Sequence, residues 1–163
     1  MVMPASLHGV AGDAPELYRV DLAGIGSCYD ADLSFMLSGH VFAYLEPGSL
    51  EVYFPRPPRG IKARERVVLL GDRAEDFSAE ASYYILKAIL GKDVLLAFDS
   101  VIRSASGALL AYLYLPLDGT CVNFRLISDG LVQVAPTSEI FQFRSEFEMY
   151  ERQAKEKHRG IWK

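Results

Sequence analysis

The order of short apolar segments along the chain most constrains its fold. Strand patterns are followed by one helical pattern, two further strand patterns and two more helical patterns. We expect strands at residues 18–22, 32–37, 67–71, 93–98 and 109–114, and helices at 78–90, at 123–129 and from 138 onward. This order predicts an α+β fold: a five-stranded Greek-key barrel of the OB type with about three helices.

The composition favours a single domain. The chain has 163 residues, of which 50% are hydrophobic, so it can bury a substantial core. We expect residues 1–16 to be a flexible N-terminus and residues 17–163 to form the domain. No apolar run approaches the roughly 20 residues of a membrane-spanning helix, and no signal peptide pattern opens the chain. A cytoplasmic protein with no membrane association is therefore expected.

The reactive side chains form few known patterns. Two cysteines, Cys28 and Cys121, do not make a disulfide framework, and buried free thiols are the simpler interpretation. His8, His40 and His158 are far apart and have no metal-ligand spacing. Glycine-rich phosphate loops, Ser-His-Asp triads and Cys-x-x-Cys motifs are absent from the sequence.

Carboxylates follow two of the strand patterns. Asp30 and Asp32 lie at an expected turn, and Asp72 and Glu75 follow the apolar run 67–71. Carboxylates that converge on one end of a small barrel can hold a hard divalent cation and supply a general base. The alternative is that they are turn residues and solvated loop charges, because Asp side chains bond to nearby backbone in turns.

One stretch of the chain is strongly basic although the net charge is −4, which argues against broad non-specific binding to nucleic acid. Lysine and arginine neutralise phosphates, so this stretch is a candidate nucleic-acid contact. A solvated loop that keeps the segment soluble is the alternative. The basic residues are Arg56, Arg59, Lys62, Arg64 and Arg66, with Glu65 the only acid among them.

Several segments match one family in order and spacing. They are Leu-Ala-Tyr-Leu-Tyr at 110–114, Asp-Gly-Thr-Cys-Val-Asn at 118–123, Leu-Ile-Ser-Asp-Gly-Leu-Val-Gln-Val-Ala at 126–135, and a final helix ending in Gly-Ile-Trp at 160–162. Tyr-Asp-Ala-Asp at 29–32 and Leu-Gly-Asp-Arg-Ala-Glu at 70–75 match more thinly. On these segments, the chain from about residue 17 to its end resembles the staphylococcal nuclease (thermonuclease) family.

The resemblance implies roles for the acidic residues. Asp32 and Asp72 fall on the family's calcium carboxylates, with Asp30 beside them, and Glu75 falls on its general base. Calcium is the cofactor implied.

Two more strand patterns, at 41–45 and 50–54, lie between the expected strands at 32–37 and 67–71. The family joins its second and third barrel strands by a short connection, so we expect residues 38–66 to be an inserted hairpin between those strands, ending in the basic loop.

The same resemblance implies a loss of positive charge. The family's two phosphate-binding arginines fall on Val67 and Ala108, and its base-stacking tyrosine falls on Ser106. Arg73 is the possible substitute for a lost arginine. Arg66, which precedes Val67, would point to the opposite face of an ideal strand.

Three functions follow from these expectations. The first is a nuclease-like domain with impaired catalysis that binds single-stranded nucleic acid or another protein. The second is a calcium-dependent phosphodiesterase, or nuclease, of low or altered activity. The third is a structural domain that self-associates through the inserted hairpin. A monomer and a homodimer are both compatible with the sequence.

Overall fold

A computed structural model of the protein describes residues 36–45, 48–73, 75, 78–136 and 139–163. Within these ranges the strands are β1 (Leu37–Leu45), β2 (Ser49–Tyr53), β3 (Arg64–Leu69), β4 (Asp93–Ala97) and β5 (Leu109–Tyr114). The helices are α1 (Ala79–Ala88), α2 (Val122–Ser128) and α3 (Arg144–Glu156), followed by a short 3-10 helix, Gly160–Trp162. The expected flexible segment 1–16, the expected strand 18–22 and Cys28 lie outside the described residues.

The five strands close into one barrel in the order β1-β2-β3-β5-β4. Neighbouring strands are antiparallel except for β3 and β5, which run parallel because α1 and β4 intervene between them in the chain. The predicted five-stranded OB-type barrel with three helices is confirmed.

The segment 38–66 does form a hairpin, but this hairpin belongs to the barrel. β1 pairs with β2 on one side and with β4 on the other, and β2 also pairs with β3. Val41, Leu50 and Val52 are at most 1% exposed and belong to the core. The hairpin therefore provides the first two barrel strands, which corrects its expected placement as an addition between the second and third strands.

β1 continues through Gly39, where the sequence indicated a break between strands at 32–37 and 41–45. Gly39 pairs with Val94 of β4. A Cβ atom at position 39 would lie 2.6 Å from Cγ1 of Val52, so only glycine allows this close approach. The glycine marks tight packing inside the strand and not its end.

The helices pack against the barrel largely where the sequence predicted them. α1 buries Ala81 and Ile85, and α2 ends directly before Gly130. α3 begins at Arg144, later than the expected start at 138, because the preceding residues make tertiary contacts. Phe141 and Phe143 are buried there, and the Gln142 N–H donates to Oδ2 of Asp99 at 2.7 Å.

Asn123 ties α2 to two strands from inside the core. Its Nδ2 donates to the carbonyl oxygens of Leu70 at 2.8 Å and Ala111 at 2.9 Å, and its Oδ1 accepts the N–H of Leu113 at 2.9 Å. The side chain is fully buried. Three backbone groups are satisfied by one amide, which fixes the chain that leads out of β3 toward Asp72.

Two further expectations have structural outcomes. Cys121 is a buried free thiol, as predicted, and burial raises its pKa to about 12. None of the helices in the described ranges has the length and apolar character needed to cross a membrane.

Candidate functional site

The two positions at which the resemblance implies arginines form part of the barrel interior. Val67 on β3 is fully buried and pairs with Leu109 of β5. Ala108, directly before β5, is 3% exposed. Both side chains are apolar and covered, so neither position supplies positive charge near the end of β3.

Asp72 follows β3 and is enclosed by the segment that comes after α2. A bridge pairs Asp72 with Val134, and two hydrogen bonds flank it: Arg73 N–H to Gln133 O at 2.9 Å and Ala135 N–H to Gly71 O at 2.7 Å. Both carboxyl oxygens of Asp72 are buried and have no hydrogen-bond partner among the described residues. Burial, and to a smaller extent the charge of Glu139, raises the pKa of Asp72 well above its usual value. This carboxyl group is held toward its neutral form.

Gly71 makes the turn that brings Asp72 under this segment. Its φ is +90°, which glycine adopts without strain, and a Cβ atom there would lie 2.7 Å from the ring of Phe147 on α3. The turn after β3 therefore depends on the absence of a side chain.

Glu139 is an acidic neighbour of Asp72 that the sequence did not indicate. Its Oε1 accepts the Gly71 N–H at 2.7 Å, and burial raises its pKa while this hydrogen bond and Arg144 partly offset the effect. Glu75, the expected general base, is exposed and contributes a small upward shift to the pKa of Glu139. The end of β3 thus gathers acids, one of them sealed from water.

The described residues do not fit a calcium site here. Ca²⁺ takes six to eight oxygen ligands. Among the residues that the structure describes, no group of three or more His, Cys, Asp or Glu side chains is placed to hold a metal ion. The oxygens of Asp72, its expected ligand, are shut off from solvent. We therefore derive no reaction step through calcium.

Asp30 and Asp32 lie outside the described residues, and their expected roles remain predictions. The first strand connection of the closed barrel joins Leu45 to Ser49, whereas both aspartates precede β1 in the sequence. The turn between strands that the resemblance implied for them thus has a different place in the chain.

The arginines nearest these acids have other hydrogen bonds. No guanidinium in the described part of the chain donates to Asp72. Arg66 is exposed, as strand alternation predicted, and its Nη2 donates to Oγ of Ser106 at 3.4 Å. Arg144 donates to the carbonyl oxygens of Ala135, Pro136 and Glu139, and its guanidinium lies 4.7 Å from the ring centroid of Phe141.

An ion pair between Arg103 and Glu65, which the sequence did not indicate, anchors the basic loop at 55–63. Arg103 donates Nη2 to Oε2 of Glu65 at 2.7 Å and Nη1 to Oε1 at 3.1 Å. The same guanidinium donates to the carbonyl oxygens of Gly60 and Gly107, both at 2.8 Å. The hydrogen bond to Arg103 lowers the pKa of Glu65. The Arg103 guanidinium therefore links β3, the basic loop and the loop before β5.

The predicted nucleic-acid-binding residues are brought to one region of the surface. Arg56, Arg59 and Lys62 lie in the loop between β2 and β3, and Arg64 and Arg66 lie on β3. All five are exposed. Two exposed aromatic residues lie on the neighbouring strands, Phe42 on β1 and Tyr53 on β2.

The sequence of this barrel matches a known protein family over most of its length. A family model described as staphylococcal nuclease homologue matches residues 56–163. The chain belongs to this staphylococcal nuclease homologue family. The matched region includes Val67, Asp72, Glu75 and Ala108, whereas Asp30 and Asp32 precede it. A search of the curated proteins finds no match.

Proposed function

We propose that this member of the staphylococcal nuclease family is a binding module with impaired catalysis. One observation carries the proposal: Val67 and Ala108, the positions at which the resemblance implies the family's two phosphate-binding arginines, are buried apolar residues. The charge that develops on a phosphoryl group in the transition state must be neutralised by fixed positive groups. Acids alone raise the energy of a polyanion at this end of the barrel.

The expected catalytic deficit is large. Removing one preorganised donor to a transition-state anion costs about 10²- to 10³-fold in rate. For an arginine on a transferring phosphoryl group the factor reaches about 10³ to 10⁵. The two losses need not add, but either one is enough to make turnover slow.

The state of Asp72 supports the same proposal. A carboxyl group without a polar partner, whose pKa is raised by burial, is a poor cation ligand because metal binding requires the ionised form. Glu75 remains exposed and accessible to water. A base without an activated phosphate beside it does not make an efficient nuclease.

A slow calcium-dependent phosphodiesterase is the second candidate function. The observation in its favour is Arg66, whose guanidinium reaches Ser106 in the loop where the resemblance implies the second arginine. For this function the resemblance implies Asp32 and Asp72 as the calcium ligands and Glu75 as the general base, and the burial of the Asp72 oxygens counts against it. Arg73 or Arg66 would meet the phosphate.

The third expectation, self-association through the edge of an inserted hairpin, has the least support. β2 is paired with β1 on one side and with β3 on the other, and β1 is paired with β4 over residues 37–40. Within this hairpin only the end of β1, residues 42–45, is paired on one side alone among the described strands, which leaves little backbone edge to add to another chain.

A cleavage assay separates the two remaining functions. Purified protein is incubated with labelled single-stranded DNA and RNA and with duplex DNA, in calcium and in chelator. We expect no cleavage above that of the Glu75→Gln variant in any condition. Calcium-dependent cleavage that this variant lacks would contradict the proposal and establish the phosphodiesterase.

A further inference from the structure

We propose that single-stranded nucleic acid binds the outer face of β1, β2 and β3, on a surface formed by Phe42, Tyr53, Arg64 and Arg66 that we call the aromatic-arginine face. The inference rests on the proposed function, binding with impaired catalysis, and gives that function a ligand. It assigns the ligand to a surface other than the acidic end of β3, where the family resemblance implies the catalytic residues.

Strand register brings these side chains together. Tyr53 of β2 is paired with His40 of β1 on one side and with Arg64 of β3 on the other. Arg66 lies two residues beyond Arg64 and therefore projects from the same face of β3. Tyr53 is 44% exposed, and both arginines are exposed. Tyr53, Arg64 and Arg66 thus form a row of exposed side chains across β2 and β3, with an aromatic ring beside two guanidinium groups.

A β-bulge adds Phe42 to this row. The register between β1 and β2 shifts between Val41, which pairs with Val52, and Ala43, which pairs with Glu51, so Phe42 is the additional residue. Bulges re-aim side chains, and Phe42 is 38% exposed although it is a large apolar residue in a barrel strand. The Arg64 guanidinium lies 5.3 Å from its ring centroid. The guanidinium therefore lies over the Phe42 ring, and both groups are on the same exposed face of the barrel.

The chemistry of this face favours single-stranded nucleic acid. Unpaired bases stack on aromatic rings and on arginine planes, whereas the bases of a duplex are already stacked on each other. Two exposed rings and two guanidinium groups on one face provide contacts for bases and for phosphates. This combination binds with little dependence on base sequence because each base has a π face.

The basic loop extends the positive surface beyond the strands. Arg56, Arg59 and Lys62 are exposed, and the loop is held at Gly60 by Arg103. The acids nearby are partly neutralised. Glu65 is paired with Arg103, and Oδ1 of Asp93 accepts a hydrogen bond from Nδ1 of His40 at 2.9 Å. Glu51, half-buried opposite Arg66, is the remaining acid on these strands.

Binding is measured by fluorescence anisotropy with a labelled 20-residue oligothymidylate, with the matching duplex and with a poly-glutamate peptide, over a range of salt concentrations. Phe42→Val and Tyr53→Thr remove a ring but keep a β-branched residue suited to a strand. Arg64→Gln and Arg66→Gln remove charge. The control for the ring variants is Tyr83→Leu on α1, which removes an aromatic ring from a residue that is 62% exposed and lies outside the aromatic-arginine face. The charge controls are the exposed Arg152→Gln and Lys157→Gln.

We expect each ring substitution to weaken oligothymidylate binding about 5-fold to 150-fold, the factors for about 1–3 kcal/mol of stacking per base. Each arginine substitution should weaken it and reduce the salt slope by about 0.7. The controls should bind as the wild type does. The duplex should bind more weakly than the single strand.

Three results would overturn the proposal: ring variants that bind oligothymidylate as tightly as the wild type, equal binding of duplex and single strand, or poly-glutamate binding as tight as that of oligothymidylate. The last would assign the face to acidic peptides. The cleavage assay and the binding assay test different claims. Cleavage that depends on Glu75 would refute impaired catalysis, whereas unchanged affinity of the ring variants would refute the aromatic-arginine face.

Discussion

At the scale of single residues, the state of Asp72 is set by residues that are distant from it in sequence. Gln133 and Ala135 make hydrogen bonds with Arg73 and Gly71, which hold the enclosing segment over Asp72. Both carboxyl oxygens are buried there and have no hydrogen-bond partner among the described residues. Burial therefore raises the pKa of this carboxyl group.

The state of Asp72 leads to a prediction for stability. Its pKa is raised in the folded protein, so folding opposes ionisation and stability falls as pH rises from the unfolded pKa toward the folded one. We expect Asp72→Asn to gain stability relative to the wild type as the pH rises from 4 to 8, because the wild type loses stability over this range and the amide does not titrate.

Urea unfolding at the two pH values measures this effect. Glu75→Gln is the matched control, because it removes an exposed carboxylate of the same region and should change stability little at either pH. If Asp72→Asn instead loses stability relative to the wild type between pH 4 and pH 8, the ionised carboxylate is stabilised in the fold and its pKa is not raised.

Phe42 shows a different limit of sequence reasoning. The strand pattern at 41–45 was recognised, but a bulge cannot be read from alternation, because it shifts which residues face outward. The basic residues 56–66 were identified from composition alone, whereas the two rings beside them depend on cross-strand register. The charged half of the aromatic-arginine face was therefore predictable and the aromatic half was not.

At the scale of elements, Arg103 connects three segments that are distant in sequence. Its partner Glu65 has a side chain that is 7% exposed, so removal of the guanidinium leaves a nearly buried carboxylate with one remaining hydrogen bond, from the Lys62 N–H. We expect Arg103→Gln to destabilise the protein by about 1–3 kcal/mol at pH 7.

The pH dependence identifies the cause of that loss. The pKa of Glu65 is lowered in the folded protein, so the pair stabilises the fold above the unfolded pKa near 4.5 and ceases to do so as pH falls through the lower, folded value. The difference between wild type and Arg103→Gln should shrink as the pH is lowered from 7 to 3. A difference of equal size at both pH values would assign the loss to packing and to the carbonyl contacts instead.

The elements themselves were largely predictable. Strands β3, β4 and β5 and helices α1 and α2 follow from apolar periodicity and from glycines at helix ends, which are local signals. The first two strands of the barrel were misassigned because Gly39 has the local signature of a break. Gly39 instead leaves room for the side chain of Val52 on β2, and no local sequence pattern reveals that close approach.

At the scale of the whole molecule, barrel closure decides what the hairpin does. Deleting residues 40–64 removes all of β2 and most of β1, so three strands would be left with exposed edges. We expect the variant that lacks residues 40–64 to lose cooperative unfolding and the near-ultraviolet circular dichroism of a packed core. A folded, cooperative deletion variant would show that the hairpin is dispensable, as an insertion would be.

The molecule as a whole combines an inherited fold with an altered charge distribution. The staphylococcal nuclease family assignment explains the barrel and the order of its helices. Val67 and Ala108, where the family resemblance implies arginines, are buried apolar residues, and exposed Lys and Arg residues line the loop at 55–63 and β3. Our proposals therefore assign binding and cleavage to different parts of the barrel.

One measurement tests this separation most directly. A labelled single-stranded 20-mer is mixed with the protein in calcium, and its anisotropy and its length are followed in the same sample over several hours. The account predicts raised anisotropy and an oligonucleotide of unchanged length. Progressive shortening that Glu75→Gln abolishes would contradict it.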